Sequence, residues 1–248
     1  MTRGIVAVVL TGILISGGGC GRATSGDSAS EVAANGWLAA PVIETASRSP
    51  GAVALQGRAS PRSRVVLRGE TDTAFAVSAD DDGRFTIRMG GPAVDGLYVI
   101  EVQDGETAVP SPFRLLVAGD PSGPIALIGA GSPTRRLDPG TGLDVIDSDG
   151  RSRIASGRAA PGTSVSITIA GRSPLRATAG ADGRWSVAVG GASGAASLTV
   201  DDLAYAYPGD GLIDGVDRLQ RVEDGFGLRW SLSETAQQTS WFPDRSAP

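Results

Sequence analysis

The feature that most constrains the fold is an internal repeat with a spacing of one hundred residues. Residues 52–91 align with residues 152–191 without a gap. A repeat of this length is too long for a solenoid and fits two consecutive β-domains. The matching positions are mostly turn and core residues, namely Gly57/Gly157, Arg58/Arg158, Ala59/Ala159, Pro61/Pro161, Val65/Val165, Asp82/Asp182, Gly83/Gly183, Arg84/Arg184 and Gly90-Gly91/Gly190-Gly191, with Phe85 matched by Trp185.

Short alternating runs, broken by Gly, Pro and Asp, predict strands along most of the chain. The predicted fold class is all-β: two tandem immunoglobulin-like β-sandwich domains, residues 41–119 and 120–248, the second extended by C-terminal strands. Seven strands are predicted in the first domain, at 41–46, 52–58, 63–69, 73–79, 84–89, 96–103 and 109–118. Beyond the repeat, strands are predicted near 216–222, 226–232 and 237–242.

The repeated segment also carries a family pattern. From Gly57 to Phe85, and again from Gly157 to Trp185, the chain reads Gly-Arg-Ala-x-Pro, a Val-containing strand, and x-Asp-Gly-Arg-aromatic. This pattern resembles the bacterial Ig-like (Big-type) domains that occur in tandem on surface and secreted proteins. The resemblance implies a spacer, an adhesin stalk or an interaction module, and it brings no catalytic residues.

The N-terminus predicts export. Residues 1–19 have a charged start and a short apolar run, from Ile5 to Ile15, which is too short to span a bilayer and is typical of a signal peptide. Small residues before Cys20, the only cysteine, resemble the lipobox of bacterial lipoproteins, although Gly17 stands where the family carries an aliphatic residue. The resemblance implies a covalent lipid on Cys20; the alternative is ordinary cleavage that leaves a soluble protein with a free thiol.

Residues 20–40 are rich in small and polar residues and predict a flexible tether from the lipidated Cys20. In the lipoprotein resemblance, the residue after the cysteine directs sorting. Gly21 is not the Asp associated with inner-membrane retention. We therefore expect a membrane-anchored protein of the outer membrane, facing the periplasm or the cell surface.

Composition excludes several kinds of enzyme. The chain has no His and no Lys, so it has no imidazole base, no imidazole metal site and no Schiff-base lysine. The net charge is −5, without a basic cluster, and this argues against nucleic-acid binding. Carboxylate chemistry of the glycosidase type remains open, but the glutamates form no recognisable pair. We expect no enzymatic activity and no cofactor other than the lipid.

Two acidic turns are weak calcium candidates. Asp80, Asp81 and Asp82 precede Gly83, and Asp147 and Asp149 lie near Gly150. Neither turn has the twelfth-position Glu of an EF-hand loop. The second copy of the repeat lacks the first two acids of the Asp80 cluster. A hairpin turn is therefore the preferred interpretation of both.

Aromatic residues gather in the C-terminal third, which has no counterpart in the first copy. Trp241 and Phe242 are adjacent, so a strand points them to opposite faces, and at most one is buried unless both faces are covered. With Gln238 and Tyr207 they form a candidate contact surface for a partner or a glycan.

Three functions remain in view. The favoured hypothesis is a lipid-anchored cell-envelope protein that acts as a non-enzymatic scaffold, spacer or interaction module for an envelope protein partner. The alternative is a carbohydrate- or peptidoglycan-binding module that uses the C-terminal aromatics. A glycan-active enzyme with two carboxylates is the third. The residues that the two copies do not share are the places where a specific role is expected.

Overall fold

The computed structural model describes residues 38–70, 73–191, 194–233 and 236–245. These residues are all-β, with nineteen strands in four antiparallel sheets and one short 3₁₀ turn at Asp210–Leu212. None of them forms a helix long and apolar enough to cross a membrane. The predicted signal peptide, Cys20 and most of the predicted tether lie outside the described residues.

The first repeat contributes two sheets. Sheet 1 has the strand order β1-β2-β5, and sheet 2 has the order β4-β3-β6-β7-β8-β9. The strands are β1 (Val42–Ser49), β2 (Ala52–Arg58), β3 (Arg64–Arg68), β4 (Ala74–Ser78), β5 (Arg84–Gly90), β6 (Gly96–Asp104), β7 (Thr107–Val117), β8 (Ile125–Ile128) and β9 (Arg135–Arg136). All seven strands predicted in the first domain are present, with small shifts at their ends.

The second repeat contributes the other two sheets. Sheet 3 has the order β14-β11-β10-β19-β18-β17, and sheet 4 has the order β13-β12-β15-β16. The strands are β10 (Gly142–Ser148), β11 (Arg153–Arg158), β12 (Ser164–Ile169), β13 (Leu175–Thr178), β14 (Arg184–Ala188), β15 (Ala196–Val200), β16 (Leu203–Tyr207), β17 (Arg218–Val222), β18 (Gly225–Ser231) and β19 (Gln237–Pro243). The three C-terminal strands were predicted from their alternating pattern and are confirmed.

The strand registers of the two copies match at a spacing of one hundred. Leu67 faces Ile100 in sheet 2, and Ile167 faces Val200 in sheet 4. The repeated Gly157 has a steric explanation: a Cβ there would lie 2.0 Å from the Gly142 carbonyl oxygen and 2.5 Å from the Trp185 ring. Only glycine lets the ring lie over the strand.

Three apolar cores join the four sheets into a stack. One core lies between sheets 1 and 2 and one between sheets 3 and 4. The third, here called the interlayer core, lies between sheets 2 and 3 and joins the two repeats. Its buried members are Leu97, Leu116, Ala118, Ala126, Ile128, Val145, Leu219, Phe226, Leu228, Trp230 and Phe242.

The connection between the repeats differs from the predicted division at 119/120. β8 follows that boundary, yet it pairs with β7 of the first repeat, and Leu115 faces Leu127. β9 then pairs with β8. In sheet 3, β19 pairs with β10, so the C-terminal strands extend a sheet of the second repeat and cover the first.

Candidate binding pocket of the second repeat

The C-terminal aromatics are buried, which corrects the prediction that they form an exposed contact surface. Trp241 and Phe242 are 1% and 0% exposed, on opposite faces of β19. Trp241 packs edge-on against Tyr207, with ring centroids 5.8 Å apart, and Phe242 lies in the interlayer core. Both faces of β19 are covered because sheet 4 lies on one side and sheet 2 on the other. A glycan therefore has no access to the rings of Trp241 and Phe242, whereas the buried Tyr207 ring borders a cavity.

Gln238, the fourth predicted contact residue, is half-buried beside a polar network. Its amide donates to Thr134 Oγ1 at 3.5 Å. Asp147 accepts from the N–H of Thr134 at 2.7 Å and from Ser240 Oγ at 2.6 Å. Burial raises the pKa of the Asp147 carboxyl, and these donors oppose the shift. This network connects the loop after β8 to β10 and β19.

The calcium candidates have protein partners instead. Asp80 Oδ1 accepts from the N–H groups of Asp82 and Arg84, which closes the hairpin turn. Asp149 Oδ1 likewise accepts from the N–H groups of Arg151 and Ser152, at 2.8 and 2.7 Å. In the described parts of the chain, no three acidic or cysteine side chains are grouped so that they could hold a metal ion.

Asp81 and Asp82 form ion pairs with nearby arginines. Asp81 lies 3.4 Å from Arg62, and Asp82 lies 3.1 Å from Arg84. All four side chains are mostly exposed, so these pairs contribute little to stability. The Asp80 cluster is therefore a solvated turn.

The unusual side chain of the second repeat is Arg153, at the start of β11. The first repeat has Val53 at this position, buried in the core opposite Met89. The carbonyl of Arg153 accepts from the N–H of Val189, the residue equivalent to Met89. Arg153 is also buried, and its guanidinium lies 4.7 Å from the ring centroid of Tyr207. A charged group thus occupies an inward position that the other copy fills with valine.

Arg153 lines a cavity of about 320 Å³, together with Arg172. Arg153 Nη2 donates to the carbonyl of Gly194, and Arg172 Nη1 donates to the carbonyl of Val189 at 3.4 Å. Arg153 Nε is buried without a hydrogen-bond partner among the described residues. Neither guanidinium forms an ion pair within the described ranges. An unpaired buried charge is costly, so the position of Arg153 is unfavourable for stability and suited to an anion.

A glycine turn brings the two guanidiniums together. Gly190 and Gly191 have φ of +64° and +108°, whereas their counterparts Gly90 and Gly91 have no positive φ. A Cβ on Gly190 would lie 2.8 Å from Arg172 Nη1. Arg153 Nη1 and Arg172 Nη2 both lie within 4.0 Å of the Cβ position of Gly191, so the two arginines converge on this turn.

Below the pocket, Tyr207 connects Arg153 to Asp210. The Tyr207 hydroxyl donates to Asp210 Oδ1, and Ser148 Oγ donates to Asp210 Oδ2 at 2.7 Å. Burial raises the pKa of the Tyr207 hydroxyl, so it stays a neutral donor. The Tyr207 ring therefore packs its face against the Arg153 guanidinium, and its hydroxyl donates to the Asp210 carboxylate. These two contacts hold Tyr207 in place at the bottom of the pocket.

A second cluster of charges lies at the junction of the repeats. Asp144 accepts from Arg158 Nε at 2.8 Å and from Arg245 Nη2 at 2.6 Å, and Arg136 Nε lies 2.9 Å from Asp138. Burial lowers the pKa of the Arg136 guanidinium, and Asp138 opposes this shift. Since its arginines have carboxylate partners, this cluster is structural.

The sequence prediction did not include Arg153 and Arg172, because it was based on the residues that are identical in the two copies. The available signal was a difference: Val53 is replaced by an arginine within an otherwise apolar core row. Arg172 has no such signal, since it lies in a turn.

Comparisons with known proteins find a distant structural similarity only. No protein-family model matches the chain, and no curated protein matches it. Among solved structures, it is similar to an adhesin described as Ca²⁺-stabilized and as helping an Antarctic bacterium reach out and bind ice. The identity is 16% and the TM-score 0.20, over 64% of this chain and 43% of that one. The chain thus spans less than half of the adhesin, and similarity at this level does not indicate a shared function.

Proposed function

We propose that this chain is a non-enzymatic, lipid-anchored binding protein of the cell envelope, in which two Ig-like domains present an anion-binding pocket. The N-terminal sequence supports the anchor, since it joins a short apolar signal to a single cysteine. The stacked sheets support a fixed position of the pocket, because the interlayer core opposes independent movement of the two repeats.

The observation that carries the binding function is Arg153. It is buried at a position where the first repeat has Val53, it lacks a carboxylate partner among the described residues, and it borders an open cavity. Proteins keep such a charge at a cost in stability where a ligand supplies the partner. Valine at this position in the first repeat indicates that the fold itself does not need the arginine.

The buried carboxylates support a non-enzymatic role. Asp138 and Asp144 bind arginines, Asp147 accepts from hydroxyl and backbone donors, and Asp210 accepts from Tyr207 and Ser148. Glycoside hydrolysis needs two carboxyl groups facing one groove with room for a sugar and water. These carboxylates are engaged inside the stack instead.

The anchor is tested by replacing Cys20. In Cys20→Ala, the protein should move from the membrane fraction to the soluble fraction and lose labelling by an alkyne palmitate analogue. Ser16→Ala, which changes a neighbouring small residue, should keep both properties. A Cys20→Ala protein that still fractionates with membranes would show that acylation is not the anchor.

The binding function is tested with acetate as a minimal anion. Arginine Nε–Hε resonances of the full-length protein in detergent should shift on titration with sodium acetate, relative to sodium chloride at equal ionic strength. Arg153→Val should remove the response, and Arg176→Ala, at an exposed position of the same repeat, should keep it. An unchanged response in Arg153→Val would place the anion elsewhere.

A further inference from the structure

The pocket has features that select among anions, and the inference rests on the proposed binding function. We infer that it takes an α-carboxylate that carries an apolar side chain, as found at the C-terminus of a peptide or on an N-acylated amino acid. Three properties of the pocket favour such a ligand: its charge, its apolar walls and the way its two arginines are held.

The charge favours a monoanion. Arg153 and Arg172 bring two positive charges to the cavity, and Asp210 lies behind Tyr207 with one negative charge. The formal charge of the group is therefore plus one. A carboxylate neutralises it, whereas a phosphate dianion would leave an excess negative charge beside a buried carboxylate.

The walls favour an apolar substituent next to the carboxylate. Ile146, Ile169 and Leu198 line the same cavity as the two arginines. The volume of about 320 Å³ is near the lower end of ligand pockets, so it suits one residue with its side chain. An anion without an apolar part, such as sulfate, would leave these walls in contact with water.

The two arginines differ in how firmly they are held. Arg153 is fixed between the Tyr207 ring and the carbonyl of Gly194, so it needs little ordering when a ligand binds. Arg172 is exposed, and its guanidinium makes a long hydrogen bond, at 3.4 Å, to the carbonyl of Val189. We assign Arg153 as the fixed carboxylate contact and Arg172 as the adjustable one, which closes over the bound group.

The experiment is calorimetric titration of the full-length protein in detergent. The probes are N-acetyl-leucine, its neutral amide N-acetyl-leucinamide, acetyl-Ala-Ala-Leu with a free carboxylate, and acetate. N-acetyl-leucine should bind at least tenfold more tightly than acetate and N-acetyl-leucinamide. Arg172→Ala, which changes an exposed side chain and leaves the core intact, should weaken N-acetyl-leucine by about tenfold, the typical loss of a charged hydrogen bond of about 1.5 kcal/mol. Arg153→Val should abolish binding, and Arg176→Ala should have no effect.

The probes separate the inference from the proposed function. If acetate and N-acetyl-leucine bind equally, or the amide binds as well as the acid, the inference is overturned while anion binding can stand. If no carboxylate binds, the proposed function fails with it. Tighter binding of acetyl-Ala-Ala-Leu than of N-acetyl-leucine identifies a peptide terminus as the source, and the reverse order identifies a free small acid; both orders support the inferred chemistry. Retained binding in Arg172→Ala and Arg153→Val would overturn the site.

Discussion

The two copies of the repeat contain the same ion pair in two environments, which permits an internally controlled test. In the second repeat, Asp144 pairs with Arg158 at 2.8 Å, and the Asp144 side chain is 2% exposed. In the first repeat, Glu44 pairs with Arg58 at 3.2 Å, and both side chains are about half exposed. We predict that Asp144→Ala is strongly destabilising and that Glu44→Ala is nearly neutral.

The magnitudes follow from what each deletion leaves behind. Asp144→Ala removes the buried carboxylate that accepts from Arg158 and Arg245. The two arginines are 18% and 21% exposed and keep contacts with Asp138, so the expected cost is about 3 kcal/mol, the lower end for breaking a buried pair. Glu44→Ala removes an exposed pair worth about 0–1 kcal/mol. In a protein of this size, each kcal/mol shifts Tm by about 2–4 °C. The expected loss for Asp144→Ala is therefore on the order of 10 °C, against at most a few degrees for Glu44→Ala.

The assay is thermal unfolding followed by circular dichroism, with urea unfolding as a second measurement of the free energy. Asp144→Asn tests whether the charge or the hydrogen bonds matter, because the amide keeps one acceptor while it loses the charge. A Tm loss in Asp144→Ala no larger than in Glu44→Ala would refute the reasoning, since it would mean that solvent and the contacts with Asp138 replace Asp144 in full for Arg158 and Arg245.

Two further predictions concern the junction of the repeats. Asp147→Asn should compare more favourably with the wild type at pH 7 than at pH 3, because burial raises the pKa of Asp147 and the wild type loses stability as pH rises through that folded pKa, whereas the amide does not titrate. The difference in unfolding free energy between variant and wild type should therefore change between the two pH values, and an equal difference at pH 3 and pH 7 would contradict the prediction. Phe242→Ala should cost about 3–5 kcal/mol in urea unfolding, since the ring is fully buried in the interlayer core, whereas Leu203→Ala, at a half-exposed leucine, should cost little.

Much of the fold could be predicted from the sequence because the local signals agree with the packing. Asp-Gly turns and alternating apolar residues place the seven strands of the first repeat, and the same signals recur one hundred residues later. Glycine opposite an aromatic ring, as at Gly157 and Trp185, repeats for a steric reason. The Asp-Gly turns depend on neighbours within one hairpin, so they can be recognised locally, whereas the contact of Gly157 with Trp185 joins the non-consecutive strands β11 and β14.

The stacking of the repeats could not be predicted in the same way. Alternation in β19 shows that Trp241 and Phe242 face opposite sides, but the pattern does not say what lies on each side. The answer depends on β7 and β8 of the first repeat, more than one hundred residues away. The sequence also does not distinguish the two aspartates near Gly150. Asp149 accepts from the backbone N–H of a turn residue, whereas Asp147 accepts from the buried hydroxyl of Ser240.

The repeat is most informative where the copies differ in a shared environment. Glu44 is exposed and Asp144 is buried because Arg158, Arg184 and Arg245 gather around Asp144, so that difference is explained by stability. Val53 and Arg153 differ although both positions point into a core, and stability favours the valine. The second copy has this arginine and, beside it, a positive φ at Gly190 and Gly191. It therefore departs from the first copy at a cavity where an anion would supply the missing charge.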